Sequence, residues 1–257
     1  MRIARFLWDE KVRWGVIEGD EVHAISGDLF GSFRPGQRLC TLGEVKLLAP
    51  VAPGNKIIGI GRNYRPKEVR AEQDGPGVFL KSPTGAIAHR EPIVYPKIGK
   101  RVIYEGERAL VIGKTAKHVS VDEALNCVLG YSCANDITVP EFTTKDDPLF
   151  SINHKGKFFD THFPFGPWLE TNFSDPNDAH LQLRQNGVVK QDASTSQMTW
   201  NVQECISFVS DIMTLYPGDV ISTASPPGLE PIQPGDVLEV EIDGIGVLHN
   251  PVIAEAV

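Results

Sequence analysis

Apolar and polar positions alternate over much of the chain with the period of two that marks half-buried strands. The alternation runs through Arg2 to Leu7, Trp14 to Glu18 and, after the turn pair Gly19-Asp20, Glu21 to Ala24. Pro50 and Pro53-Gly54 interrupt the pattern before a compact strand, Lys56 to Ile60. The expected division is therefore residues 1–53, a small N-terminal β domain, and residues 54–257, the main domain. Turns at Gly75-Pro76-Gly77, Pro217-Gly218-Asp219, Pro234-Gly235-Asp236 and Asp243-Gly244 keep the rest strand-rich, and their dissimilar flanks exclude a repeat array. Helical spacing is confined to two places. Val202, Cys205, Ile206, Val209, Ile212 and Met213 predict a core-packing helix from about Asn201 to Thr214. Ser120 and Glu123 read as a capping box opening a short helix through Ala124, Leu125 and Val128. The fold class predicted is a mixed, β-rich α/β domain.

One predicted strand, Arg101 to Lys114, carries carboxylates among residues that favour burial. Period two puts Glu105 and Glu107 on one face, about 7 Å apart at the backbone, with Ala109 and Val111 continuing that face. Burying two unpaired carboxylates costs several kcal/mol each, so a metal or a basic partner is the reasonable completion. Asp136 ends a second apolar run, Val128 to Asp136, beyond the short helix. Three hard oxygen donors without paired histidines or cysteines suit magnesium, manganese or calcium better than zinc. The plainer alternative is a solvated strand face with Arg101 and Arg108 as surface partners, and Asp136 capping a turn. The histidines lack ligand spacing, and only His154 falls in a loop suited to completing a site. Gly59-Ile-Gly61 lacks the third glycine of a dinucleotide fingerprint.

Composition narrows the partners. Of 257 residues, 33 are acidic and 25 basic, a net charge of -8, and no basic run is interleaved with aromatics. Nucleic acid and anionic membranes are therefore excluded as expected partners. Cys40, Cys127, Cys133 and Cys205 have apolar neighbours and no C-x-x-C pairing, the pattern of buried free thiols in a reducing compartment. The apolar run at the start is too short for a signal peptide, and eighteen uninterrupted apolar residues occur nowhere, so a cytoplasmic location is expected.

Seven segments then stand in a telling order: Gly59 to Tyr64, Phe79 to Pro83, Tyr104 to Lys114, Gly130 to Asp136, Lys157 to Thr161 with Phe165 to Leu169, Asn186-Gly187 with Gln191 and Thr195, and Leu215 to Asp219. From about Lys56 to Val252 the chain resembles the fumarylacetoacetate hydrolase family. The resemblance implies a β-sandwich-like roll, usually homodimeric, with a small N-terminal β domain. It implies a divalent cation, magnesium with manganese or calcium as substitutes, on Glu105, Glu107 and Asp136, and a small 2-oxo or enol acid as substrate. Lys157, with Lys155 as the alternative lysine, would face negative charge beside the metal, and Thr195 would hydrogen-bond the substrate carboxylate. Arg62, Tyr64 and Lys81 match substrate-binding positions near the entrance. The chemistry shared by the family is stabilisation of an enolate by a Lewis acid, worth several kcal/mol in the transition state.

Departures from the family pattern point to the kind of reaction. Where hydrolases carry a water-activating His and Glu three apart, this chain has Lys67 and Arg70, leaving Glu68 and Glu72 to supply a base from a lid running from Arg65 to Gly77. After Asp136 the chain reads Thr138 to Glu141, TVPE, with Pro140 in place of an anion-clamping arginine, as in isomerases and decarboxylases of homoprotocatechuate breakdown. The Thr-Gly-Thr-Pro loop is altered to Thr223-Ala-Ser-Pro226. The expected activity is isomerisation or tautomerisation of a 2-hydroxyhepta-2,4-diene-1,7-dioate-type acid in aromatic compound catabolism. C–C hydrolysis or decarboxylation of an acylpyruvate or oxaloacetate is the alternative, and a non-catalytic metal- and acid-binding relative the second.

Overall fold

A computed structural model of the chain describes residues 1–64, 75–142 and 155–256, so Lys67, Glu68, Arg70, Glu72 and His154 lie outside the described residues. The strands are β1 (Arg2–Trp8), β2 (Lys11–Glu18), β3 (Glu21–Gly27), β4 (Phe33–Thr41), β5 (Lys46–Leu48), β6 (Ile57–Gly61), β7 (Gly77–Lys81), β8 (Ala86–Ile87) and β9 (Ile93–Tyr95). They continue with β10 (Gly106–Ile112), β11 (Val128–Asn135), β12 (Phe163–Glu170), β13 (His180–Gln185), β14 (Val188–Ser194), β15 (Val220–Ser222), β16 (Val237–Ile242) and β17 (Gly246–Ala254). One sheet runs β4-β3-β2-β1-β12-β11-β10-β15-β6-β7, with β5 on β1 and β8 on β12, and a smaller sheet runs β14-β13-β16-β17-β9. The N-terminal strands join the large sheet through β1 and β12, with Arg2 opposite Glu170 and Ile3 opposite Leu169.

The site is built at the middle of the large sheet. Every residue of β10 is buried, because both of its faces are covered. Ala109 and Val111 pack with Ile57, Ala134, Phe163 and Val220 on one side. Leu110 and Ile112 pack on the other against the smaller sheet, through Leu181 and Val240, and against the α-helix α1 (Val202–Ile212). Burying each large aliphatic side chain of this kind contributes about 1.5–3 kcal/mol. The regular ladder is shorter than the predicted strand Arg101 to Lys114: before Gly106 the chain is extended, and Ile103 exchanges backbone hydrogen bonds with Thr138 at 2.9 and 3.0 Å.

α1 forms where its periodicity predicts, and its start is fixed reciprocally. The Asn201 side chain accepts from the Glu204 N–H at 2.9 Å, and the Glu204 carboxylate accepts from the Asn201 N–H at 2.9 Å, a capping box worth about 1 kcal/mol. Val202, Cys205, Ile206 and Val209 are buried, but Ile212, the last residue of the helix, is 55% exposed. The other predicted helix is corrected. Val121–Cys127 is a 3-10 helix, in which Glu123 N–H bonds Ser120 O at 3.2 Å and the Ser120 hydroxyl gives no cap. All four cysteines are free and buried. Among the described residues no helix is long and apolar enough to cross a membrane.

Candidate active site

Register brings the three carboxylates together. Gly106 pairs with Asn135 and Glu107 with Ala134, so Glu105 and Asp136 are neighbours just beyond the ladder, tied by an Asp136 N–H to Glu105 O bond of 2.8 Å. The Asn135 side chain accepts from the Glu105 N–H at 2.9 Å, which fixes the approach to the strand. One oxygen from each of Glu105, Glu107 and Asp136 lies within 4.8 Å of the others. Asp136 and Glu107 are each 1% exposed, so the solvated-face alternative for the trio does not hold. Arg108 is fully buried on the opposite face of β10 and is no surface partner.

Two lysines meet this cluster. Lys157 Nζ donates to Glu105 Oε1 at 2.8 Å, Asp136 Oδ2 at 2.6 Å and the Thr138 hydroxyl at 2.6 Å, which in turn donates to Glu105 Oε1 at 2.6 Å. This distinguishes Lys157 from Lys155, which is exposed. Lys81 is 3% exposed, not at an entrance: its Nζ binds Asp136 Oδ1 at 2.5 Å and Ile137 O at 3.0 Å. Period two in β7 turns Lys81 inward, and sheet pairing carries it to Asp136. Sequence position alone gave no such neighbour.

Glu107 is different. It accepts from the Ser222 hydroxyl and from the Ala224 N–H at 3.1 Å, and among the described residues no ammonium group pairs with it. Ala224 stands at the altered glycine of the 223–226 loop and has a left-handed φ of 79°, a conformation costing about 1–2 kcal/mol for a residue with a Cβ. The site thus holds strained backbone where it donates to Glu107.

Electrostatics separate the three acids. Burial, with repulsion from Asp136 and Glu105, holds the Glu107 carboxyl well above the usual carboxylate range. Burial also raises Glu105, against the pull of Lys157. Asp136 is raised by burial but lowered more by Lys157 and Lys81, and stays below its ordinary value. Burial lowers the Lys157 ammonium, and Asp136 and Glu105 more than reverse it. Among the described residues three carboxyl groups face two ammonium groups, and Glu107 is the one that neither ammonium touches, so ionising it would leave a negative charge without a partner. A hard divalent cation fits that donor set in charge and in ligand type, with Glu105, Glu107 and Asp136 to hold it.

The raised Glu107 carboxyl has a signed consequence. In chelator-treated protein its proton stabilises the fold below the ordinary value of 4.5, and that contribution is lost as pH rises toward the folded value. A cation binds only the ionised carboxylate, so magnesium titration is expected to release protons, seen as a calorimetric heat that changes with the buffer's ionisation enthalpy. A buffer-independent heat would show that Glu107 is already ionised.

The remaining sequence candidates are placed as follows. Tyr64 has a buried hydroxyl without a hydrogen-bond partner among the described residues, and burial raises its pKa. Arg62 is exposed, with a left-handed φ of 60°. Thr195 is buried, and its hydroxyl accepts from the Ala179 N–H at 2.9 Å and donates to Pro176 O at 3.2 Å. Those two bonds tie Thr195 to the loop from Pro176 to Ala179. Thr138 and Ser222 are the residues that sequence reasoning missed as partners of the trio; short polar side chains at strand ends carry no distinctive signal.

Residues 56–253 match the family described as Fumarylacetoacetate (FAA) hydrolase C-terminal, and residues 1–50 match Rv2993c-like, N-terminal. A solved 2-hydroxyhepta-2,4-diene-1,7-dioate isomerase from Mycobacterium marinum is 35% identical with a TM-score of 0.90, covering 100% of both chains. A maleylpyruvate hydrolase from Sphingobium sp., solved with manganese (II) ion and pyruvate, is 29% identical with a TM-score of 0.82, also over 100% of both. A mitochondrial oxaloacetate tautomerase of Rattus norvegicus is 33% identical over 223 residues, 82% of this chain and 70% of that protein. The extent of the match and the sheet built around the acidic trio lead to one conclusion: the chain belongs to the fumarylacetoacetate hydrolase family.

Proposed function

We propose that the protein is a divalent-metal-dependent enzyme that tautomerises or isomerises small 2-oxo and enol acids. The observation that carries this reading is Glu107, a buried carboxylate with strained backbone aimed at it and no cationic side chain beside it among the described residues. Counted over Glu105, Glu107, Asp136, Lys81 and Lys157, a divalent cation on the trio leaves one net positive charge, suited to an anionic ligand. When bound, the cation supplies Lewis-acid polarisation of a substrate oxygen. Lys157 holds its ammonium between Asp136 and Glu105, where it favours negative charge developing on a neighbouring oxygen, and Lys81 keeps Asp136 ionised. Thr138 orients both Lys157 and Glu105. The isomerase and tautomerase relatives, and the pyruvate and manganese named with the hydrolase, support a 2-oxo acid and a metal.

Hydrolysis is a second reading, favoured by the maleylpyruvate hydrolase likeness. It needs an activated water, whereas tautomerisation needs only proton transfer between carbon and oxygen. Glu68 and Glu72 remain the proposed bases, on the segment outside the described residues. The test is a panel of enol-oxaloacetate, 2-hydroxyhepta-2,4-diene-1,7-dioate and acylpyruvates, each with magnesium and with chelator. Metal-dependent ketonisation or isomerisation faster than acylpyruvate hydrolysis is expected; the reverse order would make the protein a hydrolase.

A further inference from the structure

We infer that Phe79 is a positioning residue for Lys157, and that Gly59 is glycine so that the Phe79 ring can take that position. This rests on the role proposed above for Lys157. Phe79 in β7 lies directly opposite Gly59 in β6, Gly59 pairs with Ser222 in β15, and Ser222 pairs with Ala109 in β10. One rung of the sheet thus carries the ring, the donor to Glu107 and the strand that bears Glu107, all on one face. A Cβ built on Gly59 would lie 2.1, 2.4 and 2.7 Å from three atoms of the Phe79 ring. The ring therefore rests on the bare backbone of β6. Gly59 has no left-handed φ, so space rather than backbone freedom requires glycine there.

Above that ring sits the Lys157 ammonium, with Nζ 4.9 Å from the ring centroid. Its three oxygen partners are Glu105, Asp136 and Thr138, and the negative face of the ring meets it as a fourth contact. A lysine side chain is flexible, and its donors rotate. With an aliphatic side chain at position 79 the ammonium keeps its oxygen partners but loses the contact that fixes its height over the sheet. Lys81, the second lysine, has a more distant ring, Phe163 at 6.0 Å, and relies on Asp136 and Ile137 O.

The experiment compares Phe79→Leu with Phe79 replaced by 3,5-difluoro- and 3,4,5-trifluorophenylalanine, which keep the ring's shape while weakening its negative face. Expected is a stepwise fall in kcat for the enol acid, reaching about 3- to 30-fold in Phe79→Leu, with KM and the magnesium isotherm unchanged. A structural role would not follow fluorination, so kcat flat across the fluorinated series would overturn the inference, even were Phe79→Leu to misfold. Gly59→Ala, which leaves the ring's chemistry intact but displaces it, should lower kcat in the same way. Lys157→Ala separates the two claims: if it retains full kcat, the role of Lys157 itself is wrong, and if it loses activity while the fluorinated series stays flat, only the role of Phe79 is.

Discussion

Lys157→Ala is expected to lower kcat at least about tenfold while leaving magnesium affinity no weaker than in wild type. The ammonium is 11% exposed and bridges Asp136 and Glu105, so no water can take its place with the same charge and geometry. An interaction that grows as the substrate oxygen becomes negative is lost mainly from the transition state, which lowers kcat without a matching change in KM. Metal affinity behaves differently. Removing a cation from between two proposed metal ligands takes away a competitor for their oxygens, and the added cation restores the lost charge. Steady-state kinetics with a calorimetric magnesium titration checks both halves. A rise confined to KM would make Lys157 a substrate-binding residue.

Arg108→Met is expected to stabilise the protein by about 1–4 kcal/mol. Arg108 is fully buried, yet its Nε and Nη1 have no hydrogen-bond partner among the described residues. Its Nη2 reaches only Met198 Sδ at 3.6 Å and Thr223 Oγ1 at 3.3 Å. The guanidinium stays charged, so three of its five N–H donors are desolvated without compensation. Methionine fills a similar path beside Met198 and Thr223 without that cost. Urea denaturation should show a higher midpoint with an unchanged slope. A lower midpoint would mean that an anion or ordered water satisfies Arg108. The contrast with Lys81 is instructive, since Lys81 is as deeply buried but has Asp136 at 2.5 Å, and truncating it would leave a buried carboxylate short of a partner.

How much of this was legible in the sequence depends on the range over which each feature is set. Glu105 and Glu107 converge because the period of two holds along the extended chain that leads into β10, and α1 is specified by its own spacing and its Asn201–Glu204 cap. Asp136 is legible as the carboxylate that ends the apolar run from Val128, and the family resemblance agrees with that choice and supplies the fold. The buried position of Lys81 beside Asp136 depends on the pairing of β7, β6, β15 and β10, which no local pattern encodes. The Ser120–Glu123 signature marks the start of Val121–Cys127 but not its type: the segment closes with the tighter 3-10 bonds, and the Ser120 hydroxyl turns to the Glu123 carboxylate at 3.4 Å instead of to a backbone N–H. Ile212 fits the helical stripe but is the last residue of α1 and is exposed.

Calorimetric titration of magnesium into the wild type and Glu107→Gln tests most directly whether Glu105, Glu107 and Asp136 hold one divalent cation. The substitution keeps the shape of Glu107 and can preserve its contacts with Ser222 and Ala224, while removing the one carboxylate of the trio that has no lysine partner among the described residues. The account predicts one site in wild type, lost or weakened at least about tenfold in Glu107→Gln, together with loss of magnesium-dependent thermal stabilisation. Identical isotherms for the two proteins would contradict it.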